Sequence, residues 1–200
     1  MTRRGFFVVF EGGEACGKST QAARLAARRD AVLTREPGGT PLGERVRDLF
    51  LDPASGAIDG RTEALLVAAA RAQHVVEVIA PALDAGRDVV SDRFTGSSLA
   101  YQGFGRGLDV GALRGLSRFA TGGLEPDVCV LLDVPAEVAR ARLGGDRDRM
   151  EAAGDEFHER VRAGYAELAR SNGWLVLDGS GSVEEVERSV WEAVSGRLGW

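Results

Sequence analysis

Phe6-Phe7-Val8-Val9-Phe10-Glu11 runs directly into Gly12-Gly13-Glu14-Ala15-Cys16-Gly17-Lys18-Ser19-Thr20. The apolar run is continuous rather than alternating, so the strand it predicts is covered on both faces. It ends in Gly12-x-x-x-x-Gly17-Lys18-Ser19, and a helical pattern follows from Ser19 to Arg29. Strand, glycine-rich loop and helix, in that order, are the context a phosphate-binding loop requires. Glycines let backbone N–H groups curl around phosphate oxygens, and the helix N-terminus adds partial positive charge. In such a loop Lys18 is a point charge for the β- and γ-phosphates, and Ser19 offers its hydroxyl to Mg2+.

Outward from this stretch, apolar runs recur at Ala31 to Thr34, Asp88 to Ser91, Val128 to Asp133 and Trp174 to Leu177. Helical periodicity fills the intervals at Leu42 to Leu51, Thr62 to Ala85, Val110 to Ala120, Ala136 to Leu143, Asp155 to Arg170 and Val183 to Arg197. Ser182-x-x-Glu185 reads as a capping box for the last helix, and Pro81 is expected to kink or end the long central one. Alternating strands and helices predict one α/β domain over residues 1–200, with a five-stranded parallel sheet and helices on both faces. Gly144-Gly145 before Asp146-Arg147-Asp148-Arg149 reads as a mobile, charged lid, about 143–153.

The composition narrows the function. The 200 residues are 44% hydrophobic and 28% charged, enough to bury a core and unlike a disordered chain. A formal charge of −5 excludes a broad nucleic-acid surface, so an anionic ligand must be met by local arginine clusters. Lys18 is the only lysine, which makes 24 of the 25 basic residues arginine. Ala64 to Ala70, the longest apolar stretch, is short of a membrane span. Arg3-Arg4 precede too few apolar residues for a signal peptide, and two cysteines are too few for a disulfide framework. A cytoplasmic protein without membrane or nucleic-acid partners is expected. A GTPase would carry Asn-Lys-x-Asp, but Asn172, the only asparagine, is far from Lys18. Leu131-Leu132-Asp133 is the candidate metal strand of a switch ATPase, yet Pro135 follows closely and no second acid accompanies it.

Four segments in order resemble the bacterial thymidylate kinase family: Glu11 to Thr20, Arg35-Glu36-Pro37-Gly38-Gly39-Thr40, Arg71-Ala72-Gln73-His74, and Asp92-Arg93-Phe94-x-x-Ser97-Ser98-x-Ala100-Tyr101-Gln102-Gly103. Asp148-Arg149-Met150-Glu151 looks like the family's lid. The resemblance implies a homodimeric P-loop kinase that moves the ATP γ-phosphoryl group to dTMP with Mg2+. It assigns Gly12, Gly13, Glu14, Ala15, Cys16, Gly17, Lys18, Ser19 and Thr20 to ATP, with Arg142 against the adenine. Lys18, Arg93 and the lid arginines Arg149 and Arg147 would stabilise the transferring phosphoryl, since such a transition state asks mainly for positioning and charge. Ser19 and Asp92 would serve the metal. Glu14, Glu36, Pro37, Arg47, Arg93 and Tyr101 would surround the acceptor's sugar and phosphate, and Val67, Arg71, Ser98 and Gln102 its base. His74 reads as structural. The alternatives are a kinase for another nucleoside monophosphate and a non-catalytic ATP-binding switch.

Some positions depart from the family pattern. Ala15-Cys16 stand where a glycine and a small residue are usual, and Ala15 is expected to exclude positive φ. Val67 replaces an aromatic that stacks on the base. Ala70 replaces an acid, which is expected to leave Arg71 less firmly oriented. Cys16, at a helix N-terminus beside Lys18, is either an activated thiol or a small residue filling the loop.

Overall fold

The computed structural model describes residues 3–144 and 148–200. The chain alternates as the apolar runs require: β1 (Phe7–Glu11), α1 (Lys18–Arg29), β2 (Val32–Arg35), α2 (Pro41–Leu51) and α3 (Gly60–His74). A π-helical segment, Val75–Ile79, joins α3 to α4 (Ala80–Asp84), and β3 (Val89–Asp92) follows. Next come α5 (Thr95–Ser98) with its π-helical continuation Leu99–Gly105, α6 (Val110–Thr121), β4 (Val128–Asp133) and α7 (Ala136–Arg142). The chain closes with α8 (Asp155–Asn172), β5 (Leu175–Asp178) and α9 (Val183–Leu198). Ser182 and Glu185 form the expected capping box.

The five strands lie in the order β2-β3-β1-β4-β5, every pair parallel. β1 is central and shows why its run is apolar throughout. Val8 and Phe10 pack with Leu25 of α1 and Val190 of α9, while Phe7 and Val9 pack on the other face with Ile79 and Leu83. A further core lies beyond that second face, where Phe157, Val161 and Tyr165 of α8 meet Leu99, Ala100 and Tyr101.

Pro81 does not end the central helix. The wider π turn at Val75–Ile79 precedes it and gives the ring room, so the helix runs on through α4 without a bond from the nitrogen of residue 81. The continuous helix Gly60–Asp84 is long and apolar enough to cross a membrane, with a mean hydropathy of 1.3 in its most apolar window. It is a core helix here: Glu63, Arg71 and His74 on it are buried and bonded inside the domain. Periodicity does not reveal the helix over Thr95–Gly105, because Gly96, Gly103 and Gly105 dilute the pattern.

Candidate active site

The carboxyl edge of the sheet carries Glu11, Glu36, Asp92-Arg93 and Asp133 at or just past successive strand ends. Ligands of open α/β sheets bind along this edge. Two cavities open there. One is walled by Ala15, Gly17, Lys18, Ser19, Thr20, Asp92 and Arg142, the other by Phe50, Val67, Arg71, Ser98, Tyr101, Gln102 and Met150. Glu14, Glu36, Arg47 and Arg93 line both, so the cavities meet at these four side chains.

On the first side, α1 begins at Gly17 with no side-chain cap, which leaves its N–H groups to the loop. Lys18, buried, donates from Nζ to the Gly13 carbonyl at 2.5 Å. Gly12 has φ of +146°, and a Cβ there would lie 2.5 Å from the Leu132 carbonyl oxygen, so only glycine fits. Ala15, contrary to expectation, adopts positive φ, at 53°. Closure of the loop outweighs the Cβ clash, which costs about 1–2 kcal/mol. Cys16 is 2% exposed and packs into the core with Val8, Ala22 and Val134, as a small residue filling the loop.

Ser19 Oγ donates to Asp92 Oδ2 at 2.5 Å, and the buried Asp92 Oδ1 has no partner among the described residues. One hydroxyl beside one half-satisfied carboxylate is a donor set that suits Mg2+, which keeps most of its shell as water and phosphate oxygen. No cluster of three or more His, Cys, Asp or Glu that would suit a fully protein-bound ion occurs among the described residues.

Where the cavities meet, Arg93 is held with φ of 72°, a strained backbone that turns its side chain back across β1. Its guanidinium donates to the Gly12 carbonyl at 3.0 Å, Tyr165 Oη at 3.0 Å, Glu14 Oε1 at 2.7 Å and Tyr101 Oη at 3.2 Å. Tyr101 Oη in turn donates to Glu14. Burial pushes the Glu14 carboxyl up, but Arg93, Lys18 and the Tyr101 hydroxyl outweigh it and hold the group at about 2. Behind them Glu11, fully buried, accepts from Phe94 N at 3.0 Å, Ser97 N at 3.2 Å and Ser97 Oγ at 2.6 Å, pinning the segment after β3. Burial raises its carboxyl despite these donors and the nearby arginines. Glu11 and Ser97 stand in the quoted segments without an assigned role; Tyr165 has no local signal at all.

On the second side, Glu36 is a buried anchor. Its Oε2 accepts from Arg71 Nε at 2.7 Å and its Oε1 pairs with His74 Nδ1 at 3.0 Å, while His74 Nε2 meets Thr34 Oγ1 at 2.6 Å. Arg71 Nη2 donates to the Phe94 carbonyl at 3.0 Å and Ser98 Oγ at 2.9 Å. Arg71 is therefore firmly oriented without an acid at position 70, and its buried Nη1 has no partner among the described residues. Arg47 Nη1 donates to the Pro37 carbonyl at 3.1 Å, and Gln102 Nε2 to Glu63 Oε2 at 3.1 Å. Val67 shares its wall with Phe50 and Met150, both buried.

Of the lid arginines, Arg149 is bonded away from both cavities. Arg149 Nη1 pairs with Glu63 Oε1 at 2.5 Å and its Nε donates to the Phe50 carbonyl at 2.8 Å, so it lines neither cavity. The reason is electrostatic: a fully buried carboxylate at Glu63 is a stronger partner for a buried guanidinium than solvent. Arg142 donates to the carbonyls of Gly179 at 2.8 Å and Ser180 at 3.1 Å, beside the first cavity. Arg147 lies outside the described residues.

A family model described as thymidylate kinase matches residues 10–190. The chain belongs to the thymidylate kinase family. A thymidylate kinase of Desulforudis audaxviator is 49% identical over 203 residues, covering 97% of this chain and 92% of the relative. One of Deinococcus radiodurans is 48% identical over 203 residues, covering 97% and 98%. Among solved structures, thymidylate kinase from Ehrlichia chaffeensis superposes with a TM-score of 0.79 at 31% identity, over 96% of this chain and 99% of that one. The P-loop kinase fold of that family is the fold described above.

Proposed function

We infer that this chain transfers the γ-phosphoryl group of ATP to dTMP, giving dTDP and ADP. The observation that carries the reading is the junction at Glu14, Glu36, Arg47 and Arg93, where a P-loop cavity shares one wall with a cavity lined by Phe50, Val67 and Met150 beside Arg71 and Gln102. ATP phosphates lie in the Gly12–Thr20 loop, and dTMP enters the other cavity with its phosphate toward Arg47 and Arg93. Lys18 and Arg93 carry the charge that spreads over the transferring phosphoryl. Glu14, kept ionised, fixes the Arg93 fork and the Tyr101 ring against the sugar. Arg71 Nη1 and Gln102 address the base, and Phe50, Val67 and Met150 pack its faces. Ser19 and Asp92 would hold Mg2+, which would supply charge neutralisation at the donor phosphates. Arg142 borders the adenine side. Arg149, tied to Glu63, anchors the returning limb of the lid, which leaves Arg147 as the lid's cation for the phosphoryl group.

Residues 1–200 act as one domain in this reading, and the enzyme works in the cytoplasm as a homodimer. Leu65, Ala69, Ala72 and Val76 form an apolar stripe along the central helix, with Leu65 59% and Val76 63% exposed, and support a second copy covering it. An acceptor panel tests the function: ADP release with ATP and Mg2+ is expected to be fast with dTMP and slow with dCMP, dGMP and dAMP. Release independent of any monophosphate would overturn it.

A further inference from the structure

We propose that Glu63 sets base selectivity, by holding the Gln102 amide so that its Oε1 rather than its Nε2 faces the acceptor cavity. The inference rests on the dTMP reading of that cavity. Gln102 lines the cavity, is 2% exposed, and sits 3.1 Å by Nε2 from Glu63 Oε2. An amide can turn by half a rotation at little steric cost, and turned it would offer a donor instead of an acceptor. An ionised carboxylate only accepts, so Glu63 bonds one of the two orientations and repels the other. Glu63 stays ionised because Arg106 donates to it at 2.9 and 3.1 Å and Arg149 at 2.5 Å. Burial raises its carboxyl, but these donors together with Gln102 hold it below the usual range.

Arg71 completes the pattern. Arg71 lines the same cavity, with its Nε committed to Glu36 and its Nη2 to Phe94 and Ser98, which leaves Nη1, without a partner among the described residues, as the donor for a base. The cavity thus offers one donor and one acceptor. A thymine or uracil edge, with a carbonyl beside an N–H, satisfies both. A cytosine edge, with an amino group beside a bare ring nitrogen, presents the reverse. Glu63 touches no substrate; it is a positioning residue that acts through Gln102.

The test is kcat/KM for dTMP and dCMP, measured side by side in Glu63→Gln. An amide at position 63 can accept or donate, so Gln102 becomes free to turn. The dTMP-to-dCMP ratio is expected to fall at least about ten-fold, mainly by a gain on dCMP. Glu63→Asp is the second variant: it keeps the charge for Arg106 and Arg149 but withdraws the carboxylate from Gln102, and the same direction is expected. A structural role would lower both substrates alike, so an unchanged ratio in both variants overturns the proposal. In a Gln102→Met background Glu63→Gln is expected to leave the ratio where Gln102→Met alone puts it, and a further fall also overturns it. A wild-type enzyme with no preference for dTMP would instead defeat the function on which this rests.

Discussion

Glu14→Gln removes the anion from the junction of the two cavities and is expected to destabilise the fold in a pH-dependent way. Burial raises the Glu14 carboxyl, but Arg93, Lys18 and the Tyr101 hydroxyl bring it from 4.5 to about 2. A carboxyl depressed in the folded state stabilises the fold fully above about pH 4.5, and that contribution is lost as the pH falls through about 2. The depression corresponds to about 3 kcal/mol at pH 7, with about 1 kcal/mol left at pH 3. The side chain is 22% exposed, so solvent screens it only in part. Urea denaturation of wild type and Glu14→Gln at both pH values gives the two stability gaps. The gap is expected near 3 kcal/mol at pH 7 and smaller by about 2 kcal/mol at pH 3. Gaps of equal size at the two pH values would show that the loss is one of packing, and would refute the electrostatic account of how Arg93 is held.

Lys18→Arg keeps the charge but puts a wide, flat group where Nζ sits 2.5 Å from the Gly13 carbonyl; kcat is expected to fall about 100-fold or more with dTMP affinity retained, and near-normal turnover would contradict this. Ala15→Gly relieves positive φ at 53°, partly offset by a freer unfolded chain, so a thermal melt should show Tm higher by about 1–3 °C; a lower Tm refutes the strain. Arg149→Ala removes the ion pair with Glu63 and the bond to the Phe50 carbonyl, and is expected to cost about 2–4 kcal/mol in stability and to raise KM for dTMP. A fall in kcat alone, at unchanged stability, would place Arg149 on the transferring phosphoryl instead.

Local patterns suffice for the β1 run, the phosphate loop, the alternation that makes a parallel sheet, and the cap at Ser182. These are local: side-chain period, the need for glycine where backbone meets phosphate or a neighbouring strand, and hydrogen bonds within one turn settle them. Even there, loop closure overrode the preference of Ala15, and a π turn absorbed Pro81. The motif segments supply much of the lining of both cavities, while Phe50 comes from a helix end that no motif marks. What those side chains bond to was not legible in the sequence. Arg71 finds Glu36 across 35 positions, and Arg149 turns to Glu63 across 86. Arg93 needs Tyr165, from a helix legible by its periodicity but with no motif that marks Tyr165 for the site. These pairings arise in the folded chain alone, because a buried charge takes whichever opposite charge packing brings beside it, and that depends on long-range contacts that no local pattern encodes.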